Sequence, residues 1–149
     1  MAYRHIMVPT DGSGRSRRAI TAAVGLARAL GARITGVYVV AEGVPTVFSG
    51  DKLFGSGVMS REYRKLAKLE ARRALAELER QSSAAGVPCR TVQRLASAPW
   101  QAILRGARAL GCDLIVMGSH GRGAVGTVLL GSQTARVLAH SRIPVLVCR

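Results

Sequence analysis

The chain is 149 residues long and 48% hydrophobic but only 4% aromatic, which suits one globular domain, residues 1–149, with an aliphatic core. No apolar run approaches the roughly 20 residues of a membrane span, and no signal-type region develops at the N-terminus, so we expect a cytoplasmic protein without a membrane partner. The net charge is +14, but the arginines are dispersed and aromatic residues for base stacking are scarce, so we expect no specific nucleic-acid binding.

The first part of the chain predicts two strands separated by a helix. The apolar segment 4–10 predicts the first strand, and the turn after it offers Ser13 or Ser16 as a helix cap. The helix has apolar residues at helical spacing and ends at Gly31, a residue type that is typical of this position. The β-branched segment 33–40 predicts the second strand.

The second part continues the alternation after a glycine-rich segment, 41–60, which predicts a long loop; loops of this length in compact domains are commonly functional. A later helix takes Ser97 as its cap, has Pro99 in its first turn and ends at Gly111. The other predicted elements are two helices, 61–83 and 132–140, and three strands, 89–95, 113–118 and 143–148.

Strands that alternate with helices predict a parallel sheet covered on both faces. We therefore expect a doubly wound, three-layer α/β/α fold of Rossmann-like type with a five-stranded parallel sheet. In such sheets, ligands bind beyond the carboxyl ends of the strands, where the strand order reverses. Asp11 follows the first strand and a glycine-rich stretch follows the fourth, so both lie at such positions.

The glycine-rich stretch, 117–132, matches two common phosphate-binding patterns only in part. Residues 121–126 read GRGAVG, but a dinucleotide fingerprint belongs after the first strand, with an acidic residue about 20 positions later. No acidic residue follows Asp113. The same segment lacks the lysine of a P-loop, which clamps the β- and γ-phosphates. Both interpretations are therefore rejected.

A third pattern fits the whole stretch. The spacing Gly118-x2-Gly121-x9-Gly131-Ser132 resembles the G-2x-G-9x-G-[ST] pattern of the universal stress protein family, in its ATP-binding branch. The resemblance covers nearly the whole chain, since HIMVPTDGS, GVYVV, DLIVMGSHGRG and LLGSQTARVLAHSRIPVLVC resemble separate blocks of that family in the same order. It implies the adenine nucleotide alpha hydrolase-like variant of the fold.

The resemblance also implies a site for ATP, or for AMP or ADP, with Mg²⁺ accompanying the nucleotide. Asp11 would bind the ribose, Pro9 and Val39 would flank the adenine, and Met117 would lie against the nucleoside. The glycines at 118, 121 and 131 and the hydroxyl of Ser132 would surround the phosphates. Further candidates at the site are Thr10, Arg122, Gln133 and Thr134; no family role is assigned to Gln133.

Elementary chemistry supports the phosphate-binding part of this interpretation. Glycine lets backbone N–H groups approach phosphate oxygens, and Gly131 and Ser132 begin a helix whose N-terminus attracts anions. An alternative is that the glycines only relieve crowding in a loop. A second alternative function is a weak ATPase or nucleotidyl transferase, and a third is a polyanion binder driven by charge.

Three further expectations concern activity, thiols and assembly. Only Asp11 and His120 lie near the expected phosphates, and we interpret His120 as a loop-surface residue, so we expect slow ATP hydrolysis at most and no catalytic residue. The three cysteines lack metal-ligand spacing and predict reduced thiols in or near the core. The family resemblance and the apolar final strand together imply a homodimer that pairs at this sheet edge.

Overall fold

The computed structural model describes residues 2–42, 61–121 and 130–149. These residues form five strands and four helices, in the order β1 His5–Pro9, α1 Gly14–Leu30, β2 Arg33–Ala41, α2 Arg61–Ala84, β3 Cys89–Ala96, α3 Pro99–Ala109, β4 Leu114–Gly118, α4 Ser132–His140 and β5 Val145–Cys148. Every predicted strand and helix is present, with small differences at the ends. Arg122, and the predicted loop 41–60 apart from its first two residues, lie outside the described residues.

The five strands form one sheet in the order β3-β2-β1-β4-β5, and all neighbouring strands are parallel. The chain first moves outward from β1 to β3 and then returns to the other side of β1 to place β4 and β5. The strand order therefore reverses between β1 and β4. This confirms the predicted doubly wound α/β fold and identifies the position where a ligand would bind.

Separate apolar cores cover the two faces of the sheet, and a smaller third cluster of Tyr38, Ala71, Ala74 and Leu75 packs between β2 and α2. Along β1, Ile6 and Val8 face the helices α1 and α2, whereas Met7 between them faces α3 and α4. Strand β4 alternates in the same way, with Val116 in the first core and Met117 in the second. Because successive side chains of a strand point to opposite faces, both layers of helices are held by the same buried strands.

The ends of α1 follow the sequence signals. The side chain of Ser13 accepts a hydrogen bond from the backbone N–H of Ser16, so Ser13 rather than Ser16 is the cap. Gly31 ends the helix with a φ of 63°, a left-handed conformation that glycine adopts without steric cost.

The predicted cap of α3 is wrong by one residue. The N-cap is Ala98, not Ser97, and it makes no side-chain capping bond. Pro99 takes the first helical position, and proline disfavours helical backbone in the residue before it. Ala98 accordingly has an extended backbone, with φ −124° and ψ 94°. The proline therefore determines where this helix begins, despite the capping propensity of the serine.

The buried histidine His5 lies at the amino end of β1, opposite the carboxyl edge. Its Nε2 is 2.8 Å from Oγ1 of Thr35, and that hydroxyl also accepts a hydrogen bond from Nε of Arg90 at 3.0 Å. The same hydroxyl can donate to a neutral imidazole or accept from Nε2, so the direction of this bond depends on the tautomer of His5. Burial is the largest cause that lowers the pKa of His5, and the positive charge of Arg33 lowers it further.

The cysteines are free thiols, as expected, and Cys112 is buried while Cys89 and Cys148 are partly exposed. Burial raises the pKa of Cys112 to about 11 and also raises the pKa of the other two thiols. A reactive cysteine needs a lowered pKa, so these thiols have the character of packing residues. Within the described ranges, no helix is long and apolar enough to cross a bilayer.

Candidate functional site

A cavity of 730 Å³ opens at the carboxyl ends of β1, β2 and β4, where the strand order reverses. This volume lies within the roughly 300–1,000 Å³ that small-molecule sites occupy. The predicted site residues that the structure describes all line it: Pro9, Thr10, Asp11, Val39, Met117, Gly118, Gly121, Gly131, Ser132, Gln133 and Thr134. The fold therefore brings together residues that are more than 120 positions apart in the chain.

The turn after β1 is held by a dense set of hydrogen bonds. The hydroxyl of Ser16 lies against that of Thr10 and accepts from the backbone N–H of Asp11 at 3.2 Å. Oδ1 of Asp11 accepts from the N–H of Ser13 at 2.9 Å. Thr10 and Ser16 are both buried. Thr10 thus stabilises the turn, and the Asp11 carboxylate is oriented at the cavity before any ligand arrives.

Two glycines of the pattern lie where backbone segments pack closely. A Cβ at Gly118 would be 3.1 Å from the carbonyl carbon and oxygen of Arg15, in the first turn of α1. A Cβ at Gly131 would be 3.1 Å from Cα of His120. These distances are tighter than ordinary van der Waals contact, and backbone atoms move out of the way less easily than side chains. Crowding therefore accounts for glycine at both positions, whatever the cavity binds.

Gly121 differs because it faces a functional group. A Cβ at this position would overlap Oδ2 of Asp11 and lie 3.6 Å from its Cγ. The glycine therefore keeps open the space that the carboxylate occupies. This links the loop after β4 directly to the turn after β1.

Helix α4 directs its N-terminus at the cavity. Its N-cap is Gly131, which has no side chain to accept from the first-turn N–H groups. Ser132, the first helical residue, lines the cavity and is exposed. Free N–H groups and the helix dipole make such an end attractive to anions. Thr134, two residues later, is buried and donates its hydroxyl to the carbonyl of Gly118 at 2.8 Å, which ties α4 to the end of β4.

The inner walls of the cavity are apolar. Val39 and Met117 contribute side chains from the sheet, as the family resemblance implies, and Val37 lies two residues before Val39 on the same strand. The opposite wall comes from α3, through Pro99 and Ile103. Sequence reasoning missed this wall, because Ile103 is one of several apolar residues on the buried face of α3, and only the packed structure shows which of them reaches the cavity.

His120 is the clearest correction at the site. It is not on the loop surface: the residue is only 8% exposed, and it lines the cavity beside Gly121. Its Nδ1 is 3.0 Å from Oγ of Ser119. Asp11 is the only carboxylate among the described residues that line the cavity. Over the same described ranges, no group of three His, Cys, Asp or Glu residues is placed to hold a metal ion.

Fold and site together define a class: an α/β protein whose ligand cavity lies at the reversal point of a parallel sheet, with an uncapped helix N-terminus at one side. A model described as "Universal stress protein family" matches residues 2–149. A universal stress protein of Thermus aquaticus is 37% identical over 147 residues, covering 99% of both chains. The chain therefore belongs to the universal stress protein family.

Solved structures agree with this assignment. The universal stress protein UspA from Lactobacillus plantarum has a TM-score of 0.80 at 25% identity, covering 100% of this chain and 99% of its own. A second structure, a universal stress protein in complex with cAMP, has a TM-score of 0.67 at 25% identity, covering 99% and 97% of the two chains. The fold predicted from the sequence is thus that of the family.

Proposed function

We propose that this protein binds ATP, with Mg²⁺ accompanying the phosphates, in the cavity at the carboxyl edge of the sheet. The observation that carries the proposal is that one cavity is lined by three kinds of group, each suited to a different part of a nucleotide. Apolar walls from β2, β4 and α3 suit an adenine, the oriented carboxylate of Asp11 suits a ribose, and the uncapped start of α4 suits phosphates. A structurally similar universal stress protein that is complexed with cAMP supports an adenine nucleotide as the ligand class.

The phosphates would lie at Gly131 and Ser132, where the first-turn N–H groups of α4 and the Ser132 hydroxyl can donate. Arg122, which follows Gly121 in the chain, is a further candidate. Mg²⁺ would be held mainly by the phosphate oxygens, as Mg²⁺ commonly is in nucleotide sites. Each hydrogen bond to a charged group contributes roughly 1.5–3 kcal/mol. Three such bonds contribute about 5–9 kcal/mol, and burial of the adenine against the apolar walls offsets much of the cost of association, so we expect a Kd on the order of micromolar, or about −8 kcal/mol.

The sharpest test adds a negative charge at the start of α4. Ser132→Glu should fold normally, because the residue is exposed and an acidic side chain is favourable in the first turn of a helix. It should weaken ATP binding by about 100-fold or more, since about 3 kcal/mol of charge-assisted bonding would become repulsion. Adenosine, which has no phosphate, should bind within about threefold of its original affinity.

Calorimetry with ATP and adenosine measures these affinities. Ala139→Glu is the matched control, because it adds the same charge at an exposed position in the last turn of the same helix. It should leave ATP binding nearly unchanged. The proposal fails if the unaltered protein binds no ATP, or if Ser132→Glu binds ATP as well as the control does.

We further propose that hydrolysis of the bound ATP is slow or absent. Phosphoryl transfer benefits from several metal-binding and base groups around the phosphates. Asp11 and His120 are the titratable side chains of the described cavity lining, and Oδ1 of Asp11 is already engaged in the turn after β1. Phosphate release from radiolabelled ATP would reveal turnover, and rates typical of kinases would contradict this proposal.

The protein is also proposed to form a homodimer through β5, the last strand at one edge of the sheet. Pro144 and Cys148 direct their carbonyls towards β4, where the N–H groups of Ile115 in the strand and Ser119 just after it donate at 2.9 and 2.7 Å. By the alternation of a strand, the N–H of Val147 points away from β4 and is available to a second copy.

Proline at this position offers a direct test of the dimer. Val147→Pro removes an outward-pointing N–H group without removing a hydrogen bond to β4. Because a second strand would pair with such groups, the variant should be a monomer where the unaltered protein is a dimer, as measured by light scattering at about 50 μM. Leu146→Lys tests the same edge through its side chain, which is 43% exposed. A monomeric unaltered protein, or a Val147→Pro variant that remains dimeric, would contradict the proposal.

A further inference from the structure

The side chain of Gln133 connects two helices that line the cavity. From the first turn of α4, its Oε1 accepts a hydrogen bond from the backbone N–H of Trp100, in the first turn of α3, at 3.0 Å. Gln133 itself lines the cavity and is partly buried. Its amide is therefore committed to a protein contact at the same place where a ligand would be bound.

Helix α3 needs this contact because of how it begins. Its N-cap, Ala98, has no side-chain acceptor, and Pro99 takes the first position without an N–H. The N–H groups of Gln101 and Ala102 bond to the carbonyl of Ala98 at 3.1 and 3.2 Å. The N–H of Trp100 bonds to Gln133 instead. A side chain from α4 thus provides the cap that the N-cap residue of α3 does not.

The two helices are joined at a second point. The indole of Trp100 stacks on the imidazole of His140, in the last turn of α4, with ring centroids 4.7 Å apart and an angle of 26° between the planes. The start of α3 is therefore attached to both ends of α4. Since Pro99 and Ile103 of α3 and Ser132 of α4 all line the cavity, these attachments join two of its sides.

We propose that Gln133 is a positioning residue, which fixes the α3 wall against the first turn of α4 and so holds the cavity at the width that a nucleoside requires. The inference rests on the proposed nucleotide function. A preorganised wall lowers the entropic cost of ordering the site when a ligand binds. Its loss should therefore weaken the binding of every ligand that contacts α3, whether or not the ligand is charged. The effect must appear with adenosine as well as with ATP.

Two variants separate the hydrogen bond from other effects. Gln133→Met keeps the length of the side chain but removes the acceptor. Gln133→Glu keeps an acceptor oxygen at nearly the same place and adds a negative charge, which would repel ATP but not adenosine. Amide hydrogen exchange of Trp100 reports the bond itself, and the amides of Gln101 and Ala102 are internal controls because they bond to the Ala98 carbonyl.

In Gln133→Met, exchange at Trp100 should accelerate about fivefold or more, as expected for the loss of one hydrogen bond, while the two control amides stay within about twofold. The Kd for adenosine should rise by a similar factor. In Gln133→Glu, both Trp100 exchange and adenosine affinity should stay within about twofold of the unaltered protein, and only ATP should bind more weakly.

Unchanged Trp100 exchange in Gln133→Met would overturn the inference, and so would unchanged adenosine affinity in that variant. Equal loss of adenosine affinity in Gln133→Met and Gln133→Glu would also overturn it. Absence of nucleotide binding by the unaltered protein would overturn the proposed function and the positioning role with it. In that event, accelerated Trp100 exchange in Gln133→Met would still show that α4 caps α3, so the two failures are distinguishable.

Discussion

The contact between Gly121 and Asp11 gives a prediction that can be worked out from the structure. In Gly121→Ala, the new Cβ would overlap Oδ2 of Asp11. The glycine does not have a positive φ, so alanine is acceptable to the backbone. The strain therefore falls on the carboxylate, which must rotate away from its place at the cavity. We expect Gly121→Ala to act on binding through Asp11.

The magnitude follows from the bonds that Asp11 would make to a ribose. A hydrogen bond to a charged group contributes roughly 1.5–3 kcal/mol, so displacing the carboxylate should raise the Kd for adenosine by about 10- to 100-fold. Asp11→Ala should have an effect of the same order. Because both changes remove the same interaction, the double variant should be little worse than either single variant.

Calorimetry with adenosine on the unaltered protein, the two single variants and the double variant gives a double-mutant cycle for these two residues. Gly14→Ala is the matched control, because a Cβ there would meet nothing within 4 Å and the position opens the neighbouring helix α1. Strictly additive effects of Gly121→Ala and Asp11→Ala would refute the reasoning, as would an adenosine affinity in Gly121→Ala equal to that of the control.

Two other predictions concern stability. Thr134→Val should lower the free energy of unfolding by about 2 kcal/mol, because it leaves the buried carbonyl of Gly118 without its 2.8 Å donor. Urea unfolding measures this change. Thr134→Ser, which keeps the hydroxyl, is the control, and an equal loss of stability in the two variants would contradict the prediction. The pKa of folded His5 lies below the ordinary 6.5, so the unfolded chain takes up the proton first and stability should fall as the pH drops through 6.5. In His5→Gln, urea midpoints at pH 7.5 and 5.5 should differ less than in the unaltered protein, and an equal difference would count against His5.

The architecture could be predicted from the sequence because its signals are local. The near-continuous apolar runs of β4 and β5 predict strands buried on both faces. This is confirmed for β4 but wrong for β5, which is an edge strand with Leu146 43% exposed. The alternation of strands with amphipathic segments then leaves few topologies. The predicted N-cap of α3 was wrong for an equally local reason. Two signals competed there, and the steric effect of Pro99 outweighed the capping propensity of Ser97.

The site could be predicted only where its residues follow a linear pattern. The spacing from Gly118 to Ser132 and the position of Asp11 after β1 are visible in the chain. Distances across the fold are not. The side chain of Gln133 reaches another helix, and His120 is buried although the sequence around it indicates an exposed loop, so neither placement could be predicted without tertiary contacts. The glycines illustrate the same limit, because the pattern indicates phosphates whereas the structure shows that Gly118 and Gly131 also accommodate neighbouring backbone.

The two faces of the sheet differ in one respect that bears on how the molecule unfolds. The buried core residues that line the cavity, Val37, Ile103 and Met117, all belong to the core beneath α3 and α4, and the core beneath α1 and α2 contributes none of the described lining residues. The core beneath α1 and α2 therefore has no residue at the cavity, whereas the core beneath α3 and α4 borders a space that a bound ligand would fill. Partial opening should begin in the α3–α4 layer, and ligand concentration, rather than sequence alone, would set how long that layer survives heat or proteases.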